Sequence, residues 1–172
     1  NNSLLCGHDK GAFEIMGKQA EPLYSGTGVW LFQELSNTML LAGTYNGLHL
    51  FDKSQNSLRY VSQVQNFPIS SRYFEVLNSH EVLVSHEYKG VFKLLLNDDN
   101  KSVITSEKIP NVPTSLYSSM ITFIDDVYYF SKDGFFKYDN STNQFTKNQL
   151  ISSLFQENNF TSAKMVVDRE KY

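Results

Sequence analysis

Four times along the chain an apolar run meets a small residue, a short polar stretch, a glycine and a second apolar run. The copies are Leu4–Phe13, Leu40–His49, Leu83–Phe92 and Tyr128–Phe136. Their anchor glycines, Gly11, Gly47, Gly90 and Gly134, lie 36, 43 and 44 residues apart. Short apolar runs with alternation, punctuated by turn residues, predict strands. A period of about 40–45 residues built from such strands is the sequence signature of propeller blades.

Lettering the strands of a blade a to d from the inside outwards, one complete unit reads Val29–Leu35, Thr38–Thr44, Gly47–Lys53 and Ser57–Val64. The next reads Arg72–Leu77, Glu81–Ser85, Gly90–Leu96 and Ser102–Lys108, and the third Ser119–Ile124, Asp126–Ser131, Phe135–Asp139 and Gln144–Lys147. An orphan b, c and d precede them at Ser3–Gly7, Ala12–Ile15 and Gln19–Tyr24, and an orphan a follows at Ala163–Val167. Polar turns such as Lys53-Ser54-Gln55-Asn56 and Asn97-Asp98-Asp99-Asn100 separate c from d, where Asn, Asp and Ser side chains can bond nearby backbone. Gln149–Gln156 reads as a connection between blades that could form a helical turn.

The expected architecture is all-β: a β-propeller of about four blades of four antiparallel strands, filling residues 1–172 as a single domain or part of one. The blades fall at about 1–27 (partial), 28–68, 69–115, 116–158 and 159–172 (partial). Sixteen strands could close on themselves as four blades, or form part of a larger ring. The larger ring is favoured, because Asp168-Arg169-Glu170-Lys171-Tyr172 looks like a turn from a trailing strand a into another strand b.

Composition narrows the function more by exclusion than by assignment. Hydrophobic residues make up 41% and aromatics 14%, which suits a sheet-rich packed chain rather than a disordered one. The net charge of −3 comes without a basic stripe, so nucleic-acid binding by this chain is not expected. No apolar stretch approaches the ~18 residues a membrane helix needs. A single cysteine, Cys6, leaves no internal disulfide. The chain starts at Asn1 without an initiator methionine and is read as a processed chain or a piece of a longer one. No glycine-rich phosphate loop, Cys-x-x-Cys, His-Glu-x-x-His or Gly-x-Ser-x-Gly occurs, and neither a cofactor nor a metal is expected.

Strand direction alternates within a blade, so the b–c loops and the d-to-a connections open on one face. That face collects the chemically richer side chains, and loops on a rigid scaffold are where binding residues concentrate. The candidate ligand-binding residues there are Arg72, Tyr73, Tyr45, His86, Tyr88 and Tyr117. Arg72 enters an inner strand beside the central channel, where it could grip an anion or instead pair with Glu75 or a backbone carbonyl. Trp30 lies in an inner strand, with core packing as the default and a pocket wall as the alternative. His49 takes the place of Phe13, Phe92 and Phe136 and reads as a packed core position. His8 and His86, with Asp9 and Glu87, come from loops two blades apart, too far to share one metal ion. Asp98-Asp99 and Asp125-Asp126 read as solvated turn acids on the opposite face.

Leu40-Leu41-Ala42-Gly43-Thr44-Tyr45-Asn46-Gly47-Leu48-His49-Leu50-Phe51-Asp52 resembles the two-component-regulator propeller repeat of Bacteroidetes sensor proteins. That repeat reads as an apolar pair, Gly-Thr, two loop residues, Gly-Leu and an aromatic-Asp end, and Phe135-Phe136-Lys137-Tyr138-Asp139 carries the same ending. Ser162–Asp168 matches the segment that precedes such a repeat. Gly26-Thr27-Gly28-Val29-Trp30 and Ser70–Leu77 also resemble the propellers of LuxR-type regulators that carry a triple-tyrosine domain. The sequence departs in Ser85 with its longer loop, in Ser131 taken for the glycine, and in lacking Trp from any strand b.

The resemblance implies a periplasmic, non-enzymatic sensor propeller in a membrane-anchored regulator or hybrid histidine kinase. The rest of the parent chain would carry the output, and none of that output is in these residues. The ligand would be a small molecule, in this family often a glycan, and sensing would involve a homodimer. The alternative reading is a protein–protein interaction propeller without a small ligand.

Overall fold

A computed structural model describes residues 4–55, 57–154 and 165–167. The strands run in chain order as β1 (Leu4–His8), β2 (Gly11–Met16), β3 (Gln19–Ser25), β4 (Val29–Glu34), β5 (Met39–Thr44), β6 (Gly47–Asp52), β7 (Arg59–Gln63), β8 (Tyr73–Val76), β9 (Glu81–His86) and β10 (Gly90–Leu96). They continue as β11 (Val103–Lys108), β12 (Ser119–Phe123), β13 (Asp126–Ser131), β14 (Gly134–Asp139) and β15 (Gln144–Lys147). One helical turn, α1 (Gln149–Ser152), follows, with the Asn148 side chain accepting the Ile151 N–H at its start. Among the described residues the strands form one three-stranded meander, β1-β2-β3, and three four-stranded ones, β4-β5-β6-β7, β8-β9-β10-β11 and β12-β13-β14-β15. Every pairing within them is antiparallel.

These are blades. The inner strands β4, β8 and β12 pack on one another in that order, and β1, the first strand of the three-stranded blade, packs on β4. Residues 165–167 carry no regular structure, and the remainder of the expected trailing strand a and the Asp168–Tyr172 turn lie outside the described residues.

Three apolar layers fill the gaps between blades. Ala12 faces Val29, Leu40, Ala42 and Phe51 in the first. Leu41, Leu48, Leu50 and Val64 meet Phe74, Val82, Val84 and Leu94 in the second. Leu83, Val91 and Ile109 meet Met120, Val127, Tyr129, Phe136 and Tyr138 in the third. A blade between two others buries both faces, which is why β5 and β6 read as nearly unbroken apolar runs. Each fully buried Leu, Val or Phe contributes about 1.5–3 kcal/mol. A backbone staple joins two blades at their rim: the Gln65 N–H donates to Lys101 O and the Val103 N–H to Gln65 O.

The glycine of the repeat's Gly-Thr pair has a steric cause. A Cβ on Gly43 would lie 1.9 Å from the Ser71 carbonyl oxygen, at the entry to the next blade. A Cβ on Gly7 would lie 2.5 Å from Val29 O at the equivalent place. Ser71 N–H donates to Thr44 O across the Gly43 junction. The register corrects the alignment in the last blade. Ser131 pairs with Gly134 as Thr44 pairs with Gly47, so Ser131 stands in the threonine's place and Phe130 in the glycine's.

The turn between β12 and β13 carries strain. Ile124 and Asp125 have φ of 46° and 64°, the left-handed pair that a two-residue hairpin needs and that Asn-Gly adopts most easily. A β-branched residue there is costly, and Ile124 is also exposed.

Two substitutions are expected to act in opposite directions. Gly43→Ala forces the blades apart and lowers unfolding stability by about 3 kcal/mol. Ile124→Asn relieves the turn and raises stability by about 1 kcal/mol. Denaturant unfolding of both variants against the parent chain checks both signs.

Candidate functional site

The b–c turns share one device. The last residue of each strand b accepts the backbone N–H two residues on. His8 Nδ1 accepts from Lys10 N–H at 3.1 Å, and Thr44 Oγ1 from Asn46 N–H at 3.2 Å. His86 Nδ1 accepts from Tyr88 N–H at 3.1 Å, and Ser131 Oγ from Asp133 N–H at 3.1 Å. A side chain that satisfies the turn's own donor holds the loop without help from its tip. It also fixes a tautomer: with Nδ1 accepting, neutral His8 and His86 carry their proton on Nε2. Burial, then Lys89, lowers the His86 pKa, while Glu87 opposes them. Among the described residues no cluster of three or more His, Cys, Asp or Glu is placed to hold a metal.

The repeat's aromatic-Asp ending serves the c–d turns in the same way. Asp52 accepts the Ser54 N–H at 2.7 Å, and Asp139 the Ser141 N–H at 2.9 Å. Hydrogen bonds from Ser54, then Arg59, hold the Asp52 pKa down at about 2.

On the b–c face the structure builds a shelf across the junction of two blades. Trp30 sits where the β4–β5 register shifts between Val29 and Leu31, so it is the extra residue of a β-bulge. A bulge re-aims its side chain, and Trp30 is turned outward, 39% exposed. Its ring meets Tyr45 edge-on at 4.8 Å. Tyr45 lies over Gly28, where a Cβ would come within 2.9 Å of the ring. Arg72 completes the shelf from the next blade. Its guanidinium carbon lies 4.8 Å from the Trp30 ring centre and 5.2 Å from that of Tyr73. Glu87 Oε1 stands 3.9 Å from Arg72 Nη1, an ion pair too long for a hydrogen bond.

Of the six candidates, the structure thus gathers Arg72, Tyr73 and Tyr45. His86 and Tyr88 sit next to Glu87 on the same loop, their rings 6.1 Å apart. Tyr88 is 71% exposed. Tyr117 is exposed on the β11–β12 connection with φ of 62°, and it joins no described member of the shelf. Two expectations change. Arg72 pairs with Glu87, not Glu75. Trp30 is a shelf wall, not core, because the bulge breaks the alternation that placed it inside. Glu75 instead is buried where three inner strands meet, accepting from Thr122 Oγ1 at 2.7 Å, and burial raises its pKa.

Asn46 ties the shelf to the scaffold. Its Oδ1 accepts from Thr27 Oγ1 at 3.1 Å and from Thr44 Oγ1 at 2.6 Å, and lies 3.1 Å from His49 Nε2. Its backbone oxygen accepts from Gln63 Nε2. His49 is buried as expected of a core position, with Tyr24 and Tyr60 against its ring. Its contact with Asn46 was not legible from the repeat. On the opposite face, a groove of about 660 Å³ runs beside Leu77, Asp126, Lys137 and Tyr138. There Asp126 is paired with Lys137 at 2.7 Å.

No protein-family model matches the chain, and no curated protein matches it in sequence. Solved structures do match. The extracellular domain of BT4673 from B. thetaiotaomicron, described as a one component system and as a hybrid two component system, superposes with a TM-score of 0.63 at 22% identity. The match covers 84% of this chain and 20% of that one, so this chain spans about one fifth of that domain's length. The WD40 β-propeller domain of Doa1 superposes at 0.55 and 10% identity, over 86% of this chain and 50% of that one. The chain has the β-propeller fold. Among the described residues no helix is long and apolar enough to cross a membrane.

Burial lowers the His49 pKa from 6.5 to about 4. Between those values the unfolded chain takes up a proton that the folded chain refuses. Stability is therefore complete above pH 6.5 and falls on acidification to pH 4 by about 2–3 kcal/mol. His49→Phe, the residue the other repeats carry, is expected to remove this slope. Denaturant midpoints of both proteins from pH 7 to pH 4 measure it, and parallel curves would refute it.

Proposed function

We propose that this chain is the recognition portion of a non-enzymatic sensory propeller, working outside the cytoplasm as part of a longer regulator, with the Trp30–Tyr45–Arg72–Tyr73 shelf as its ligand site. The observation that carries the reading is the bulge at Trp30. It gives up a core position to place an indole on the surface, against an arginine from the neighbouring blade. A site spanning two blades can bias how those blades sit, and a ligand that prefers one arrangement shifts the population toward it. The likeness to an extracellular sensor domain supports the setting. The repeat's resemblance to two-component-regulator propellers supports a small polar ligand, with an oligosaccharide as the class to try first. Sugar rings present C–H faces that lie flat on exposed indole and phenol rings.

A second reading has its own support. Tyr88 and Tyr117, 71% and 59% exposed, stand outside the shelf and widen the aromatic face. Exposed tyrosines are what a protein partner, or a second copy of the chain, would use.

Calorimetric titration with a panel of soluble oligosaccharides tests the first reading, with light scattering on the same samples. A binding member of the panel is expected to lose about tenfold in affinity in Tyr45→Ala and Trp30→Ala. A chain that binds no member, but forms a dimer lost in Tyr88→Ala with Tyr117→Ala, overturns it in favour of the second.

A further inference from the structure

We propose that the shelf recognises a carboxylate, held by the in-plane N–H edge of Arg72 while the ligand's ring lies against Trp30 and Tyr45. The inference rests on the shelf being a ligand site and names the chemistry of that ligand.

The geometry of the guanidinium carries it. The guanidinium carbon lies over the Trp30 ring and over the Tyr73 ring, 4.8 and 5.2 Å from their centres, so two aromatic rings hold the cation in place. A guanidinium carries five N–H groups in a fixed planar fork. Among the described residues none of them donates a hydrogen bond, and the one carboxylate nearby, Glu87, stays at 3.9 Å. A planar fork held beside two rings is pre-organised for a planar, two-oxygen acceptor, and it loses little freedom on binding one. A lysine at this position would present a point charge and could not offer two parallel donors.

Glu87 has a part in this. It lies close enough to lower the cost of leaving Arg72 unsatisfied, and too far to close the fork. An incoming carboxylate that reaches hydrogen-bond distance displaces it. Glu87 is then a competitor, and removing its charge should favour the ligand. The neutral His86 beside it, with its proton on Nε2, adds a donor at the same loop.

The chain's single tryptophan is Trp30 itself, so indole emission reports on this shelf alone. The probes are cyclohexanecarboxylate and cyclohexanecarboxamide, which share a ring and differ in charge, and neither absorbs where indole is excited. The acid is expected to change Trp30 emission saturably and the amide to bind at least about fivefold more weakly. Arg72→Lys should weaken the acid by about fivefold or more and leave the amide unchanged, and Glu87→Gln should tighten the acid. Thermal melts of both variants confirm folding, and Arg72→Gln gives a second reading at that position. Equal binding of acid and amide, or an unchanged affinity in Arg72→Lys, overturns the carboxylate while leaving the shelf as a ligand site. Silence of Trp30 toward both probes also overturns it, and the oligosaccharide titration then decides the shelf separately.

Discussion

Where β5 passes the entry to β8, the Ser71 carbonyl oxygen occupies the space a methyl group on Gly43 would need. The same exclusion recurs one blade earlier, between Gly7 and Val29. Blade spacing at these junctions is therefore set by backbone against backbone. The apolar layers fill the gaps left at that spacing: Phe51 in the first and Phe74 in the second are fully buried. Interiors packed to crystal-like density transmit a change of a few tenths of an ångström rather than absorbing it. The shelf is assembled across one of these junctions, with Trp30 and Tyr45 from one blade and Arg72 from the next. Its stacking distances follow from the closeness that Gly43 permits.

The scaffold was legible in the sequence because its period is long and its punctuation regular. Boundaries of the strands up to β15 read from alternation fall within about two residues of those observed, as with β10 at Gly90–Leu96 and β15 at Gln144–Lys147, whereas the described part of the expected trailing strand, residues 165–167, forms no strand. The failures are local and share a cause. Alternation assumes one residue on each strand opposite one on the next, and the bulge at Trp30 breaks that count. The placement of Ser131 failed in a similar way: a short loop offered two possible partners for Gly134, and only the ladder register chooses between them. Arg72 was recognisable as unusual, yet its partner was not. Glu75 lies three positions further along and is buried against Thr122 of the next blade, whereas Glu87 arrives from the neighbouring turn. The role of Asn46 was hidden because the groups it joins, Thr27 and His49, lie on either side of it in sequence and meet only when the hairpin closes on the connection.

Polar groups inside this protein do different work according to depth. Asn46, with Thr27, Thr44 and His49, locks a connection to a hairpin at the face of the propeller. Glu75, with Thr122 and the Gln33 side chain, joins three inner strands nearer its axis. Gln33 itself donates to Phe74 O and accepts from the Val76 N–H, so a side chain from β4 continues the hydrogen bonding of β8. Such bonds are directional where the apolar layers are not, and they fix the rotation of one blade relative to the next.

His8, Thr44, His86 and Ser131 are three kinds of side chain performing one task at four equivalent places. Each hairpin is closed from its base, so most tip residues carry no structural duty. Asp9, Tyr45, Glu87, Tyr88 and Lys132 stand on turns that would keep their shape if those residues were exchanged. The face of this propeller is in that sense a keyboard whose keys can be replaced singly. New binding preferences can arise there by substitution at a few tips, without a compensating change in the blades beneath.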